Sequence, residues 1–245
     1  MKNRVCIVTG AGRGIGFQVV KDFILDRNIV YACTKSYADN ITKLKSELPD
    51  KYSDNLFLEL FDINDYVKSR EFVQKIWKSH KRIDVLVNSV GVSHGSLFTM
   101  STMSDMERIF KTNYFSIVHF MQICSKLMAR KKEGVICNIS SIAAFRNDPG
   151  TMIYGSSKCA LNFATKVIAK ELGASNIRIN SVAPGVTATA MLDNMDQKAI
   201  DKQVLDSALN KVAKTSDISS LVHYLCSKNA SHITGQIIKV DGGQL

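Results

Sequence analysis

The chain has 245 residues, 45% hydrophobic and 22% charged, the makeup of a soluble globular protein and a length that α/β folds commonly use for one domain, here expected over 1–245. Its formal charge of +10 invites nucleic-acid binding, yet the lysines are spread out and no nucleic-acid motif appears; an anionic cofactor or an acidic carrier protein explains the bias as well. The opening apolar run is too short for a signal peptide and no stretch is long enough to span a membrane. Six scattered cysteines, never as Cys-x-x-Cys, read as reduced buried thiols in a cytoplasmic protein with no membrane or nucleic-acid partner.

In chain order, Val5 to Val8 is a short apolar run ended by Thr9-Gly10, as in a buried parallel strand, and residues 15 to 26 carry apolar side chains at helical spacing. The alternation continues with a strand at Ile29–Thr34, a helix at Ala38–Leu48, a strand at Leu56–Phe61, a helix at Tyr66–Ser79 and a strand at Ile83–Asn88. A long helix is predicted over Met103–Ala129, then strands at Val135–Ser140 and Ile177–Val182 on either side of a helix carrying Tyr154. A short helix at Ile218–Cys226 precedes the last strand, Gln236–Val240. This order predicts an α/β Rossmann-type fold: a doubly wound parallel sheet of about seven strands with helices on both faces. Ligands of such sheets collect at the carboxyl ends of the strands, where strand order reverses.

Gly10-Ala11-Gly12-Arg13-Gly14-Ile15-Gly16 follows the first strand and opens the first helix. Glycines permit positive φ and close backbone approach, and a helix N-terminus offers free N–H groups, so a pyrophosphate fits; tight strand–helix packing is the plainer use of the same turn. The second strand ends Thr34-Lys35-Ser36, without the carboxylate that accepts ribose hydroxyl bonds in NAD sites. Arg13 and Lys35 suit the 2′-phosphate of NADP(H), with NAD(H) the lesser choice, although both can be simple surface charge. Asp62 is a candidate for the adenine edge, or, like Asn64, for a helix N-cap.

Tyr154 and Lys158 stand four residues apart, on one helix face. A phenol is a weak acid at neutral pH, and a nearby ammonium favours its ionised form. Ser140 and Ser141 end a strand thirteen residues or so upstream, placed to bond a substrate oxygen or merely to finish the strand. Asn113 sits within the long helix, where asparagine is a poor former, either for function or as a satisfied core amide.

Together these residues resemble the short-chain dehydrogenase/reductase family over essentially the whole chain. The likeness rests on Thr9-Gly10-x-x-x-Gly14-Ile15-Gly16, Asn88-x-x-Gly91, Asn113, Ser141, Tyr154-x-x-x-Lys158, Pro184-Gly185, Ile233-Thr234-Gly235-Gln236 and Val240-Asp241-Gly242-Gly243. It implies Tyr154 as general acid in carbonyl reduction. Lys158 lowers its pKa and holds the nicotinamide ribose, Ser141 polarises the substrate oxygen, and Asn113 supports a proton-carrying water. It also implies cofactor contacts from the glycine turn with Arg13 and Ile15, from Thr34, Lys35, Asp62, Ile63, Asn88 and Gly91, from Tyr154 and Lys158, and from Pro184, Gly185, Thr187 and Thr189. One departure is Asn88-Ser89-Val90-Gly91, where the family usually has Asn-Asn-Ala-Gly; the bulkier Val90 adjoins the adenosine path.

Within the family the chain looks most like 3-oxoacyl-[acyl-carrier-protein] reductases. Lys126, Arg130, Lys131 and Lys132 suit an acidic carrier or simply complement a helix C-terminus, while the usual second basic contact is here Ser175. Thr187–Lys211 is expected to be a mobile lid. With Ser93, His94 and Phe145, its Met191 and Met195 line a substrate pocket, or serve only packing. No histidine stands at metal-ligand spacing, so no metal is expected. The resemblance further implies a homotetramer built through the Met103–Ala129 and Tyr154 helices. A reductase of another ketone or secondary alcohol (sugar, steroid or polyol) is the enzymatic alternative. A non-catalytic cofactor-binding protein is disfavoured by the intact Asn113, Ser141, Tyr154, Lys158 set.

Overall fold

The computed structural model describes residues 3–192 and 197–244. β1 (Val5–Thr9), β2 (Ile29–Thr34), β3 (Leu56–Leu60), β4 (Val85–Asn88), β5 (Gly134–Ile139), β6 (Ile177–Pro184) and β7 (Ile237–Val240) form one sheet. The order is β3-β2-β1-β4-β5-β6-β7, and every adjacent pair is parallel. The connections hold α1 (Gly14–Leu25), α2 (Ala38–Glu47), the one-turn α3 (Asp50–Ser53), α4 (Tyr66–His80), α5 (Met103–Phe110), α6 (Ser116–Lys131), α7 (Met152–Leu172), α8 (Gln197–Leu205) and α9 (Thr215–Cys226).

The sheet is covered on both sides, which is why β1, β2 and β4 are almost wholly buried and largely apolar. Along β1, Cys6 and Val8 pack with Phe23 of α1, Ile41 of α2 and Val222 of α9, while Val5 and Ile7 pack with Phe72 of α4, Phe120 of α6 and Leu161 of α7. Fully buried side chains such as Phe23 and Phe120 each contribute roughly 1.5–3 kcal/mol. The chain winds from β1 out to β3 and then crosses to β4, so strand order reverses between β1 and β4. Thr9 and Asn88, register partners at their carboxyl ends, flank the resulting crevice.

The structure departs from the sequence reading in three places and adds detail to a fourth segment. The long helix is broken by a π-helical turn, Lys111–Phe115, between α5 and α6. Asn113 of this turn bonds the β4–α5 loop, and the hydroxyl of Ser116, the first residue of α6, donates back to the Lys111 carbonyl at 2.7 Å. The N-cap of α4 is Asp65, which accepts from Lys68 N at 3.0 Å, rather than Asp62 or Asn64. α9 starts earlier than Ile218, at Thr215, where the Asp217 carboxylate takes the Lys214 N–H at 2.8 Å. The segment read as a lid contains α8, and its Thr187 forms an isolated parallel bridge with Ala213.

Candidate active site

The β1–α1 turn is shaped so that only glycine fits at several positions. Gly10 has φ +67° and a Cβ there would lie 2.8 Å from the Ser89 and Val90 backbone. A Cβ on Gly12 would strike Thr34 Oγ1 and the Ser36 carbonyl, and one on Gly16 the Gly10 carbonyl. Gly14, at φ +59°, faces Thr189 Cγ2. α1 begins with no side-chain cap and no acid in its first turn, so its leading N–H groups remain available for an anion. Gly10, Gly12 and Gly16 let the loop pack, and the helix end beside them carries no cap. Ile15, half-buried, packs on the core beside it.

At the carboxyl end of β5, the Ser141 hydroxyl accepts from Ala143 N at 3.1 Å and hydrogen-bonds Tyr154. Burial pushes the Tyr154 phenol above its ordinary pKa, and the Ser141 bond pulls it part-way back. Lys158 is almost wholly buried, donates from Nζ to the Ile139 carbonyl at 2.9 Å and lies 5.9 Å from the Tyr154 ring centroid. Burial brings its pKa down to about 8. In this geometry desolvation of both groups outweighs any help that the ammonium gives the phenol.

Asn113, with no exposed surface, joins three elements. Its Oδ1 accepts from Val92 N at 2.9 Å and its Nδ2 donates to the Val92 carbonyl at 3.0 Å and to Ser157 Oγ at 3.1 Å. The Ser157 hydroxyl in turn donates to the Tyr154 carbonyl at 2.7 Å. The π turn therefore fixes the β4–α5 loop against the helix that carries Tyr154 and Lys158. A Cβ on Gly91 would lie 3.3 Å from Lys158 Nζ and 3.7 Å from Asn113 Oδ1; the bare glycine keeps the space between them open.

A row of polar residues, of which the sequence reading had singled out only Asn88, runs beneath these groups. Asn88 of β4 donates to Asn138 of β5 at 2.8 Å, Asn138 to Thr165 of α7 at 3.0 Å, and Thr165 meets Ser181 of β6 at 2.9 Å. All four are fully buried. Each bond is worth about 1 kcal/mol net, but together they fix α7 in register with the sheet. Thr9 Oγ1, Asn88 Oδ1 and Ser140 Oγ are buried at the same strand ends with no partner among the described residues. Orphaned polar atoms beside a glycine cradle fit a polar, phosphorylated ligand.

A family model for short chain dehydrogenases matches residues 4–200. The chain belongs to the short-chain dehydrogenase family. This dehydrogenase is therefore an oxidoreductase acting on alcohol and ketone groups with a nicotinamide cofactor. It is 32% identical to a 3α-hydroxysteroid dehydrogenase of Mediterraneibacter gnavus, covering 99% of this chain and 97% of that one. It is 30% identical to the 3-oxoacyl-[acyl-carrier-protein] reductase FabG of Thermotoga maritima, covering 99% and 98%. Among solved structures it resembles ElxO with NADP bound, at TM-score 0.90 and 31% identity over 100% of this chain and 99% of that one.

In the dehydrogenase the residues expected at the adenosine end do gather. Arg13 donates to the Tyr37 hydroxyl at 2.7 Å with its guanidinium 4.5 Å from that ring, and Lys35 pairs with Asp62 at 2.8 Å. Asp62 also accepts from Asn64 N at 2.9 Å, and Ile63 is buried behind it. Thr34 donates to the Ser36 carbonyl. Tyr37 and Asn40, which donates to the Gly12 carbonyl at 2.7 Å, were missed; only their places just after β2 hinted at them. Across the crevice Gly185 lies against Asp241, Pro184 ends β6, Thr187 donates to the Gly185 carbonyl at 3.0 Å, and Thr189 faces Gly14.

The substrate residues are less united. Phe145 lines a groove of about 510 Å³ with Leu97, Phe98, Ala143 and Gly155, and exposed Lys239 of β7 lies 5.7 Å from its ring centroid. Ser93 is exposed, and His94 is drawn toward α5 by Asp105 and Arg108 at 3.8 and 3.5 Å. Neither lines that groove, nor does half-buried Met191. Met195 lies outside the described residues. No helix among the described residues is long and apolar enough to cross a membrane.

Proposed function

We propose that this dehydrogenase reduces a 3-oxoacyl thioester to its 3-hydroxyacyl form with NADPH. The observation that carries the reaction type is the meeting of Tyr154 with Ser141, above Lys158 and Asn113, at the strand ends beside an uncapped helix N-terminus. Tyr154 gives its proton to the substrate carbonyl oxygen, and Ser141 orients that oxygen. Asn113 and Ser157 hold the helix in place, and Lys158 keeps a positive charge behind the phenol. The bound cofactor supplies the hydride. The glycine turn holds its pyrophosphate, Arg13 and Lys35 its 2′-phosphate, Asp62, Ile63, Asn88 and Gly91 its adenosine side, and Pro184 to Thr189 its carboxamide.

NADP(H) is favoured because β2 ends without an acid, and ElxO, of similar sequence, is solved with NADP. The Lys35–Asp62 pair is exposed and worth at most about 1 kcal/mol, so a phosphate can displace the carboxylate. Arg13→Ala is expected to raise KM for NADPH about tenfold, the loss of one charge-assisted contact, and to leave KM for NADH nearly unchanged. Equal effects on both cofactors would remove Arg13 from the 2′-phosphate.

A 3-oxoacyl thioester is favoured by the FabG relatives and by an aromatic groove with a cation at its edge. A steroid alcohol is the second reading, on the strength of the Mediterraneibacter gnavus relative. Carrier docking is harder to place: Lys126, Arg130, Lys131, Lys132 and Ser175 lie near the amino ends of β5 and β6, a strand length, about 20 Å, from Tyr154. NADPH oxidation with a 3-oxoacyl-CoA, run beside a 3-oxosteroid and simple ketones, decides. Turnover confined to the steroid would end the thioester reading. The protein is further proposed to be one domain over 1–245, cytoplasmic and homotetrameric, its exposed Met103, Phe115, Phe163 and Val167 on α5, the π turn and α7 being covered by copies of the chain. A solution mass of one chain by light scattering would overturn the assembly.

A further inference from the structure

Beyond β6, the segment between Val186 and Ala213 leaves the sheet and returns at one point. Ala188 N donates to the Ala213 carbonyl at 2.8 Å and Ala213 N to the Val186 carbonyl at 2.9 Å, so the two ends of the excursion are pinned together. Within it, α8 has no buried residue, and its last residue, Leu205, is 74% exposed. Apolar burial does not fix this helix, and its place depends on polar ties. Two come from the tail after β7: Leu209 N donates to the Gly242 carbonyl at 3.0 Å, and the Gln244 amide to the Gln203 carbonyl at 3.1 Å. Another comes from the loop between Ser141 and Tyr154, where Arg146 donates from Nη2 to Asp206, the residue after α8, at 3.1 Å.

We propose that Arg146 is a positioning residue of this dehydrogenase: it fastens the end of α8 to the loop between Ser141 and Tyr154, and so sets the shape of the substrate groove. Arg146 and Asp148 both line that groove. The guanidinium is aimed independently of α8, because its Nε and Nη2 grip the Asp148 carboxylate at 2.6 and 3.1 Å and its side chain is only 13% exposed. A planar fork can hold one carboxylate at two points and still offer a hydrogen to a second. A lysine ammonium on a flexible stem does this less well. The loop beneath is itself tied down. Arg146 N donates to the Ile142 carbonyl at 3.2 Å, Thr151 Oγ1 to the Asp148 carbonyl at 2.7 Å, and Ser96 N to the Gly150 carbonyl at 3.0 Å.

Because one guanidinium faces two carboxylates, its loss does more than remove a bond. Asp148 and Asp206 then repel each other, which drives the end of α8 away from the groove wall. Loss of the Asp206 carboxylate alone leaves the grip on Asp148 intact and cuts only the tie to α8. Ser141, Tyr154 and Lys158 make their bonds without either residue. The chemical step therefore survives while the groove loosens, so that KM for the ketone rises and kcat holds. This inference rests on Tyr154 as proton donor, but not on which ketone is reduced.

The test compares the full-length wild type with Arg146→Ala, Asp206→Ala, Arg146→Lys and the charge-exchanged double variant Arg146→Asp with Asp206→Arg. Amide hydrogen exchange, followed by mass spectrometry without substrate, should be about tenfold faster over α8 in both alanine variants and unchanged over α7. With acetoacetyl-CoA, or a 3-oxosteroid where that is the better substrate, KM should rise about tenfold in both while kcat stays within about threefold. Lysine should recover part of both losses, and the exchanged pair most of them. Asp206 is exposed, so its variant keeps the test standing if the loop variant does not fold. Unchanged exchange over α8, or faster exchange with KM unmoved, would overturn the proposal. So would an effect of Arg146→Ala that Asp206→Ala does not share, since Arg146 would then serve its own loop alone. Failure of the proton-donor reading shows elsewhere, as wild-type turnover in Tyr154→Phe, a variant whose α8 exchange should match wild type.

Discussion

Tyr154→Phe is expected to lower kcat by roughly 10²–10⁴-fold, the usual contribution of a positioned general acid, while NADPH still binds with affinity changed less than about threefold. The phenyl ring keeps its half-buried place on α7, and the hydroxyl lost is the one bonded to Ser141. A carbonyl oxygen between the two residues then keeps an orienting serine but has no proton donor. The raised pKa keeps the phenol protonated throughout the working pH range, the state that carbonyl reduction requires, whereas alcohol oxidation requires the phenolate. Alcohol oxidation by the wild type should therefore need higher pH than ketone reduction. Single-turnover reduction with fluorescence-measured NADPH binding separates the effects. Turnover equal to wild type would refute the acid assignment, whereas lost binding would mean that the ring itself is required.

Much of this site could be read from the chain because its residues act through local geometry. A glycine turn between a buried strand and a helix has one use for φ near +60° at Gly10 and Gly14, and Tyr154 and Lys158 share a helix face by spacing alone. Asn113 was conspicuous as a poor helix former, but periodicity could not reveal that it sits in a π turn, because the apolar stripe of α5 continues into α6 across one extra residue. The buried row Asn88, Asn138, Thr165 and Ser181 was illegible for another reason. Its members come from four elements spread along the chain from Asn88 to Ser181, and Asn138, Thr165 and Ser181 each alone look like a weak strand or helix residue. Tyr37 and Lys239 fall in the same class: their relevance comes from Arg13 and Phe145, which only the fold brings near. The cap at Asp65 was misplaced because Asp62, Asn64 and Asp65 are equally good cappers, and chain geometry chose among them.

Lys158→Met should stabilise the ligand-free protein at neutral pH while lowering turnover about 10²-fold or more. Burial takes the ammonium from an ordinary pKa of 10.5 to about 8, a penalty of about 3 kcal/mol on the charged form. Below pH 8 folded and unfolded chains both hold the proton, so wild type carries the full penalty. Between about 8 and 10.5 the unfolded chain keeps a proton that the folded chain has released, and wild-type stability climbs with pH. Above that window the penalty is gone. Methionine has a similar apolar stem and no charge, but it leaves the Ile139 carbonyl without its 2.9 Å donor, a loss of about 1 kcal/mol. The balance is a gain of about 2 kcal/mol, or roughly 4–8 °C in Tm, at pH 7, shrinking as pH approaches 10. Saturating NADPH should narrow the gap further, since a ligand stabilises the chain that binds it better, and Lys158 is placed to meet it. Thermal melts of both proteins from pH 6 to 10, with and without NADPH, measure all three terms. A variant less stable than wild type at pH 7, or a gap that does not change with pH, would mean that Lys158 is not held against a desolvation cost and that its charge is not strained for function.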